Sequence, residues 1–422
     1  MTPITPRFTR DAFLRQLPLV LVCALFWAAN ADANTLLYWN GSAPNGPASG
    51  TWSMNTNNLT WSKNNDENIA NDSSPTSYTN GNSFPIPIFA NGNATDGLPG
   101  SYTVTVDDSF GQVYITDMHC DVGPATVTGN PIYWISDAYS GPGYNLISVL
   151  DGQIFTVNCV LSNAWASADG TAFHKYKSGT LILGATNKWV NESVMIEGGT
   201  LMVTAAQGLS SGSSLILGNG DDRTGGGDGQ IDTAPTFNTG GNNQTLGTLT
   251  LTGPNDTLAR TIDFSNGHGT LSFSNSSAIS WTTADHINNN ANPGPIPLMI
   301  TNYALGTAKL RFGTDNGGLT PTQLGQIQFQ DYHNLPGVID QNGFVTPSLP
   351  VFRSISVVGG TVQLTWTNTV PGYAYELDYR TNLSPTSLWN SLGNYNATSN
   401  SLSATVTFAP PSRYYRIQTL IP

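Results

Sequence analysis

Charge is what this sequence has least of. Only 10% of its 422 residues are charged, and glutamate occurs four times, as Glu67, Glu192, Glu197 and Glu376. Helices draw on Glu, Lys, Arg and similar straight-chain formers, so the composition holds few helix formers. Lys and Arg number 15 against 27 Asp and Glu, a formal charge of −12. Nucleic acid and anionic membrane surfaces are therefore poor partners, because both would meet like charge. Cysteine is sparse, occurring as Cys23, Cys120 and Cys159. Long apolar runs are missing as well. Apart from Leu17 to Ala29, no stretch approaches the ~20 residues that a membrane-spanning helix needs.

That one apolar run belongs to a targeting signal. Arg7, Arg10 and Arg15 precede it, partly offset by Asp11, and Ala31-Asp32-Ala33 follows as a small-x-small pattern. The run is too short for a comfortable membrane anchor, so cleavage between Ala33 and Asn34 is expected. Residues 1–33 are then a signal peptide. The mature chain is exported, to the exterior, the cell surface or the periplasm, with no membrane span of its own. Removing three Arg and two Asp leaves 15 − 3 = 12 basic and 27 − 2 = 25 acidic residues, a charge near −13. In an oxidising compartment Cys120 and Cys159 are either joined in a disulfide or kept as two buried free thiols. The narrow geometry that a bridge demands favours the thiols.

Turn and strand formers are abundant. Gly numbers 44 and Pro 26, and Thr, Val, Ile and aromatics alternate between them, which points to an all-β chain. Residues 34–100 carry Tyr38-Trp39, Thr51-Trp52 and Thr60-Trp61. These read as strands of a β cap whose rings cover an open core end, or else as exposed rings that stack on sugars. From Tyr102-Thr103-Val104-Thr105-Val106 a regular period of two sets in. A motif then recurs: Gly179-Thr180-Leu181-Ile182-Leu183, Gly199-Thr200-Leu201-Met202-Val203, Ser213-Ser214-Leu215-Ile216-Leu217, Gly247-Thr248-Leu249-Thr250-Leu251 and Gly269-Thr270-Leu271-Ser272-Phe273. Intervals of 199 − 179 = 20 and 269 − 247 = 22 predict stacked coils sharing one apolar interior. A right-handed parallel β-helix over 101–347 satisfies this better than an antiparallel sandwich. Residues 284–297 read as a loop or join. Thr320-Pro321 opens one short helix, and Asn342-Gly343 a hairpin turn. Residues 348–422 change character: about seven strand-length pieces with Trp366, Tyr375, Tyr379 and Trp389 predict a small antiparallel β-sandwich.

The segments Lys177 to Leu183 and Glu197 to Leu201 resemble the autotransporter-associated β-strand repeat. Leu310 to Phe329 with Gly343 to Pro347 is similar to the terminal part of such proteins from Verrucomicrobia-type bacteria. Tyr375-Glu376-Leu377, Thr381-Asn382-Leu383-Ser384 and Trp389 resemble an appended fibronectin-III-like module. The resemblance implies a passenger-like β-helix and carries over no catalytic residue. The stretch after Pro350 is too short for a translocator barrel, so self-export is not expected.

Gly208-Leu209-Ser210-Ser211-Gly212 matches a nucleophile elbow, but it falls in a turn between repeated strands rather than before a helix. His119, His174, His268, His286 and His333 form no pair at metal-ligand spacing, and no cofactor is expected. Asp221 to Asp232 is the best calcium candidate, with a solvated loop as the plainer reading, and Asp107-Asp108 reads as a strand end. A β-helix of the pectin-lyase-like kind can carry a carbohydrate-active enzyme, yet the paired carboxylates and groove cations such an enzyme needs are scarce. The expectation is a non-catalytic surface scaffold, structural or adhesive, whose partner is a surface polysaccharide or another surface protein. A carbohydrate-active enzyme or polysaccharide-binding protein is the alternative.

Overall fold

The computed structural model describes residues 35–39, 49–55, 60–62, 85–89, 101–115, 117–134, 145–163, 171–189, 192–218, 234–252, 259–267, 269–274, 282–284, 291–295, 297–407 and 412–420. Ala33, Asn34, His268, His286 and the Asp221 to Asp232 segment lie outside them.

The described chain is all-β with long parallel sheets, of solenoid-like class. One ladder runs through Gly50–Ser53, Tyr102–Asp107, Ala125–Gly129, Ile154–Val157, Thr180–Leu183, Thr200–Val203, Thr236–Asn238, Arg260–Asp263, Leu298–Thr301 and Ile327–Phe329, each parallel to the next. A second runs through Thr35–Trp39, Pro85–Phe89, Met118–Cys120, Leu146–Val149, Thr171–Tyr176, Ser193–Ile196, Leu215–Gly218 and Leu249–Thr252, again parallel. Two shorter ladders hold Val113–Ile115, Ile132–Trp134 and Leu161–Asn163, and Gln244–Leu246, Thr270–Phe273 and Lys309–Phe312. The chain visits the ladders in rotation, from Tyr102–Asp107 to Val113–Ile115 to Met118–Cys120 and back to Ala125–Gly129.

Period-two alternation explains why these strands form. In Thr180–Leu183 the Thr and Ile side chains stay half-exposed while the two Leu are buried. Because the strands are in register, buried positions line up into columns. Tyr102, Ala125, Phe155, Leu181, Leu201, Phe237, Ile262, Ile300 and Phe329 make one continuous column. No single coil could bury its apolar edge alone; stacking does. The motif glycines permit close approach between coils. A Cβ on Gly179 would meet the Leu150 carbonyl oxygen at 2.3 Å, and one on Gly199 the Gly179 oxygen at 2.4 Å.

The repeat marks strands rather than turns of the stack. Thr180–Leu183 and Thr200–Val203 are neighbours on the first ladder, but Leu215–Gly218 and Leu249–Thr252 stack on the second, and Thr270–Phe273 sits on a third. The 22-residue interval therefore joins two different faces. Successive strands of the first ladder are 200 − 180 = 20 residues apart at Thr180 and Thr200, yet 298 − 260 = 38 apart at Arg260 and Leu298. Within the segment read as a loop, Thr282–Ala284 pairs antiparallel with Ala291–Pro295.

The two ends of the described stack are finished differently. At the first, Trp39, Trp52, Trp61 and Phe89 pack edge to face, with centroids 4.8 to 6.2 Å apart, inside the same core as the later strands. At the other, the hairpin Leu335–Ile339/Phe344–Pro347 pairs antiparallel with Ile327–Phe329 on one side and Lys309–Phe312 on the other. Its turn is the expected Asn342-Gly343, with Gly343 at φ 82°. The helix Pro321–Gln326 forms where Thr320 and Pro321 place it, with Thr320 and Gln323 capping each other.

Residues from Val351 onward build two three-stranded antiparallel sheets around a second core of Val362, Leu364, Trp366, Leu377, Ala404 and Val406. One contains Val351–Val358, Thr361–Thr367 and Ser401–Thr407; the other Asn390–Asn396, Ala374–Arg380 and Tyr414–Thr419. Six strands are described where the alternation suggested about seven.

Candidate functional site

The most unusual titratable group is inside the stack. Lys175 faces Ile147 on one side and Ile196 on the other, and Ile196 in turn faces Leu217. It thus interrupts an aliphatic column, with 0% of its surface exposed. Its Nζ donates to the carbonyls of Tyr176 at 3.2 Å, Lys177 at 2.5 Å and Gly198 at 2.9 Å. Three donors meet three acceptors, so the ammonium is satisfied by turn backbone. Burial pulls its pKa down to about 7, against an opposing pull from the Glu197 carboxylate. On the opposite strand face His174 Nδ1 is paired with Glu197, and both are buried. Lys175 is bonded to backbone, and the His174–Glu197 pair lies beside it as a buried polar cluster. Alternation along Phe173-His174-Lys175 already assigns Lys175 to the inner face; its charge argued against that place.

The sequence candidates fall out differently. Trp39, Trp52 and Trp61 are at most 1% exposed, so the sugar-stacking use is overturned and the core-covering one stands. Their large rings pack into the core at that end. Gly208 to Gly212 is a turn between Thr200–Val203 and Leu215–Gly218, with Ser213 N donating to Ser210 O. No helix follows it. Asp107 ends its strand and accepts from the Ser109 backbone at 3.0 Å and hydroxyl at 2.5 Å. His119 is half-buried, which pulls its pKa down to about 4. His333 holds a left-handed conformation at φ 58° after the 3-10 turn. Cys120 and Cys159 are buried free thiols, and burial pushes both up to about 12. Among the described residues no three His, Cys, Asp or Glu converge on a metal position, and no helix is long and apolar enough to cross a membrane.

A different surface concentrates chemistry in the C-terminal module. Sheet register puts Asp378 opposite Arg416 and Arg380 opposite Tyr414. Trp389 contacts both arginines, with Arg380 Cζ 4.4 Å and Arg416 Cζ 4.6 Å from its ring centroid. Arg416 Nε donates to the buried Asp378 carboxylate at 2.8 Å. At the same end of the sheet Arg413 lies 4.2 Å over the Tyr379 ring. Tyr414, Leu383 and Leu388 are 41%, 58% and 82% exposed around this stack. The only signal for it in the sequence is composition. Its members come from three separate segments and meet through strand register alone.

Comparison of the chain with protein-family models, with curated proteins and with solved structures returns no match.

Proposed function

We propose that the chain is an exported, non-catalytic surface scaffold: a right-handed parallel β-helix of the autotransporter-associated repeat kind, extended by a fibronectin-III-like module. Its role is structural or adhesive. The observation that carries this is the use made of the titratable side chains in the stack. Lys175 is spent on three carbonyls, and Asp263 accepts from Asn238, Ser265, Thr301 and Asn302. Asp340 accepts from the Asn342 and Phe344 amides. Each of these groups stabilises a turn, where hydrolytic chemistry would want carboxylates facing substrate at set separations. Function then falls to the outer surface. A polysaccharide-binding role is the second reading, favoured by the exposed arginine and aromatic face of the module.

The test is a glycan array with the purified mature chain, run beside a polysaccharide cleavage assay. Binding without release of new reducing or unsaturated ends is expected. Turnover of any bound glycan would overturn the non-catalytic reading.

A further inference from the structure

We infer that the outer face of the sheet Asn390–Asn396/Ala374–Arg380/Tyr414–Thr419 binds a carboxylated polysaccharide, gripped by Arg380 and Arg416 with the Tyr414 ring beneath a sugar. This rests on the adhesive reading above and names the ligand class for it.

Charge is divided unequally along the chain. Residues 348–422 carry Arg353, Arg380, Arg413 and Arg416 against Glu376 and Asp378, a balance of 4 − 2 = +2. The remainder holds 15 − 4 = 11 basic and 27 − 2 = 25 acidic residues, or −14. A polyanion is repelled along the stack and admitted at the module. Three of the four arginines lie at one end of one sheet.

The arginines there are held ready. The Trp389 ring, 4.4 and 4.6 Å from the two Cζ atoms, restrains both guanidinium groups. With Arg380 Nε buried and Arg416 Nε bonded to Asp378, their terminal Nη groups are the donors offered to a carboxylate. Among the described residues Arg380 pairs with no carboxylate, and it donates to Ser384 O at 3.5 Å. Arg416 is oriented by Asp378 and remains 40% exposed. Little rotamer freedom is left to lose on binding. Tyr414, the register partner of Arg380, offers an apolar ring with a polar tip on the same face. Trp389 is already in contact with two guanidinium groups, whereas Tyr414 is the more exposed ring and the one available to a sugar. A second copy's acidic stack is a weaker bidder, since Asp107, Asp263 and Asp340 are already bonded by their own turns.

Polygalacturonate and its fully methyl-esterified form test the inference, since they share a backbone and differ in charge. Affinity is measured calorimetrically at low and high salt, with reducing ends followed in the same samples. Polygalacturonate should bind, bind more weakly at high salt, and bind at least about tenfold more tightly than the ester. Arg380→Gln and, separately, the exposed Tyr414→Ala should each weaken binding by roughly tenfold, while Arg353→Gln on the other sheet should not. Arg416 is left in place, because removing it strands the buried Asp378. Absence of binding, equal binding of the ester, insensitivity to both variants, or an equal loss in Arg353→Gln would each overturn the inference. So would self-association in sedimentation that Arg380→Gln abolishes without any glycan binding. Release of reducing ends instead overturns the non-catalytic reading and leaves the location of the site intact.

Discussion

Replacing Lys175 by Met changes how stability depends on pH, and the size of the change follows from where the amine sits. In the unfolded chain Lys175 keeps its proton up to its ordinary value of 10.5; folded, burial makes it release the proton at about 7. Between those values the unfolded state binds the extra proton. Stability therefore rises with pH, by about 1.4 kcal/mol per unit. Below pH 7 both states are charged, and the full cost of about 5 kcal/mol stands, from (10.5 − 7) × ~1.4. That cost is already net of the three bonds to carbonyls, and Lys175→Met removes the charge and leaves those carbonyls unpaired at the same time. The absolute stability of Lys175→Met is thus a poor diagnostic, and the slope is a good one. Above pH 9 the unfolded thiols of Cys120 and Cys159 ionise first and stability falls again, which confines the useful window to pH 7–9. Urea unfolding across that window should show the wild type gaining about 2 kcal/mol that Lys175→Met does not gain. Parallel pH profiles for the two proteins would refute the burial argument.

Asp263→Ala strands the donors of Asn238, Ser265, Thr301 and Asn302 and should cost about 1–3 kcal/mol in urea unfolding. Burial pushes the Asp263 carboxyl up, but the bonds from Asn302, Ser265 and Thr301 together hold it below its ordinary 3.8. Its contribution is therefore present above that value and lost as acid titration passes through the folded pKa, a loss that Asp263→Ala should not show. In the C-terminal module Leu364 is buried, while its register partner Ile355 is 57% exposed. Leu364→Ala should cost about 2–5 kcal/mol and Ile355→Thr under about 0.5, as read by thermal unfolding. Cys120 and Cys159 should resist a thiol reagent in the native protein and both react in denaturant. A native protein with one reactive thiol contradicts their burial.

Much of the scaffold was legible because period-two alternation and glycine spacing are local signals. The strand beginnings at Thr180, Thr200 and Thr270, the helix after Thr320 and the turn at Asn342-Gly343 all stand where residue chemistry places them. What could not be read was which ladder each strand joins. An inward Leu, an outward Thr and a leading Gly suit any face of the stack equally, and loop lengths between faces vary freely. The tryptophans 39, 52 and 61 were ambiguous because a ring that seals a core and one that grips a sugar share the same composition. Lys175 shows two local rules in conflict, with position overriding charge. The arginine and aromatic face was hidden because Arg380, Trp389 and Arg416 become neighbours only after strands pair.

The two differently finished ends of the described stack carry a consequence for how such a chain can grow. Tryptophan rings seal the core at one end, and at the other a hairpin pairs antiparallel with Ile327–Phe329 and Lys309–Phe312, so a coil added outside either would meet different neighbours from one in the middle. Added length is most simply gained from within, by duplicating a middle coil such as the one between Thr180 and Thr200. An inserted copy meets the same neighbours above and below. Reach thus becomes an inherited measurement, adjustable one coil at a time while both ends stay untouched.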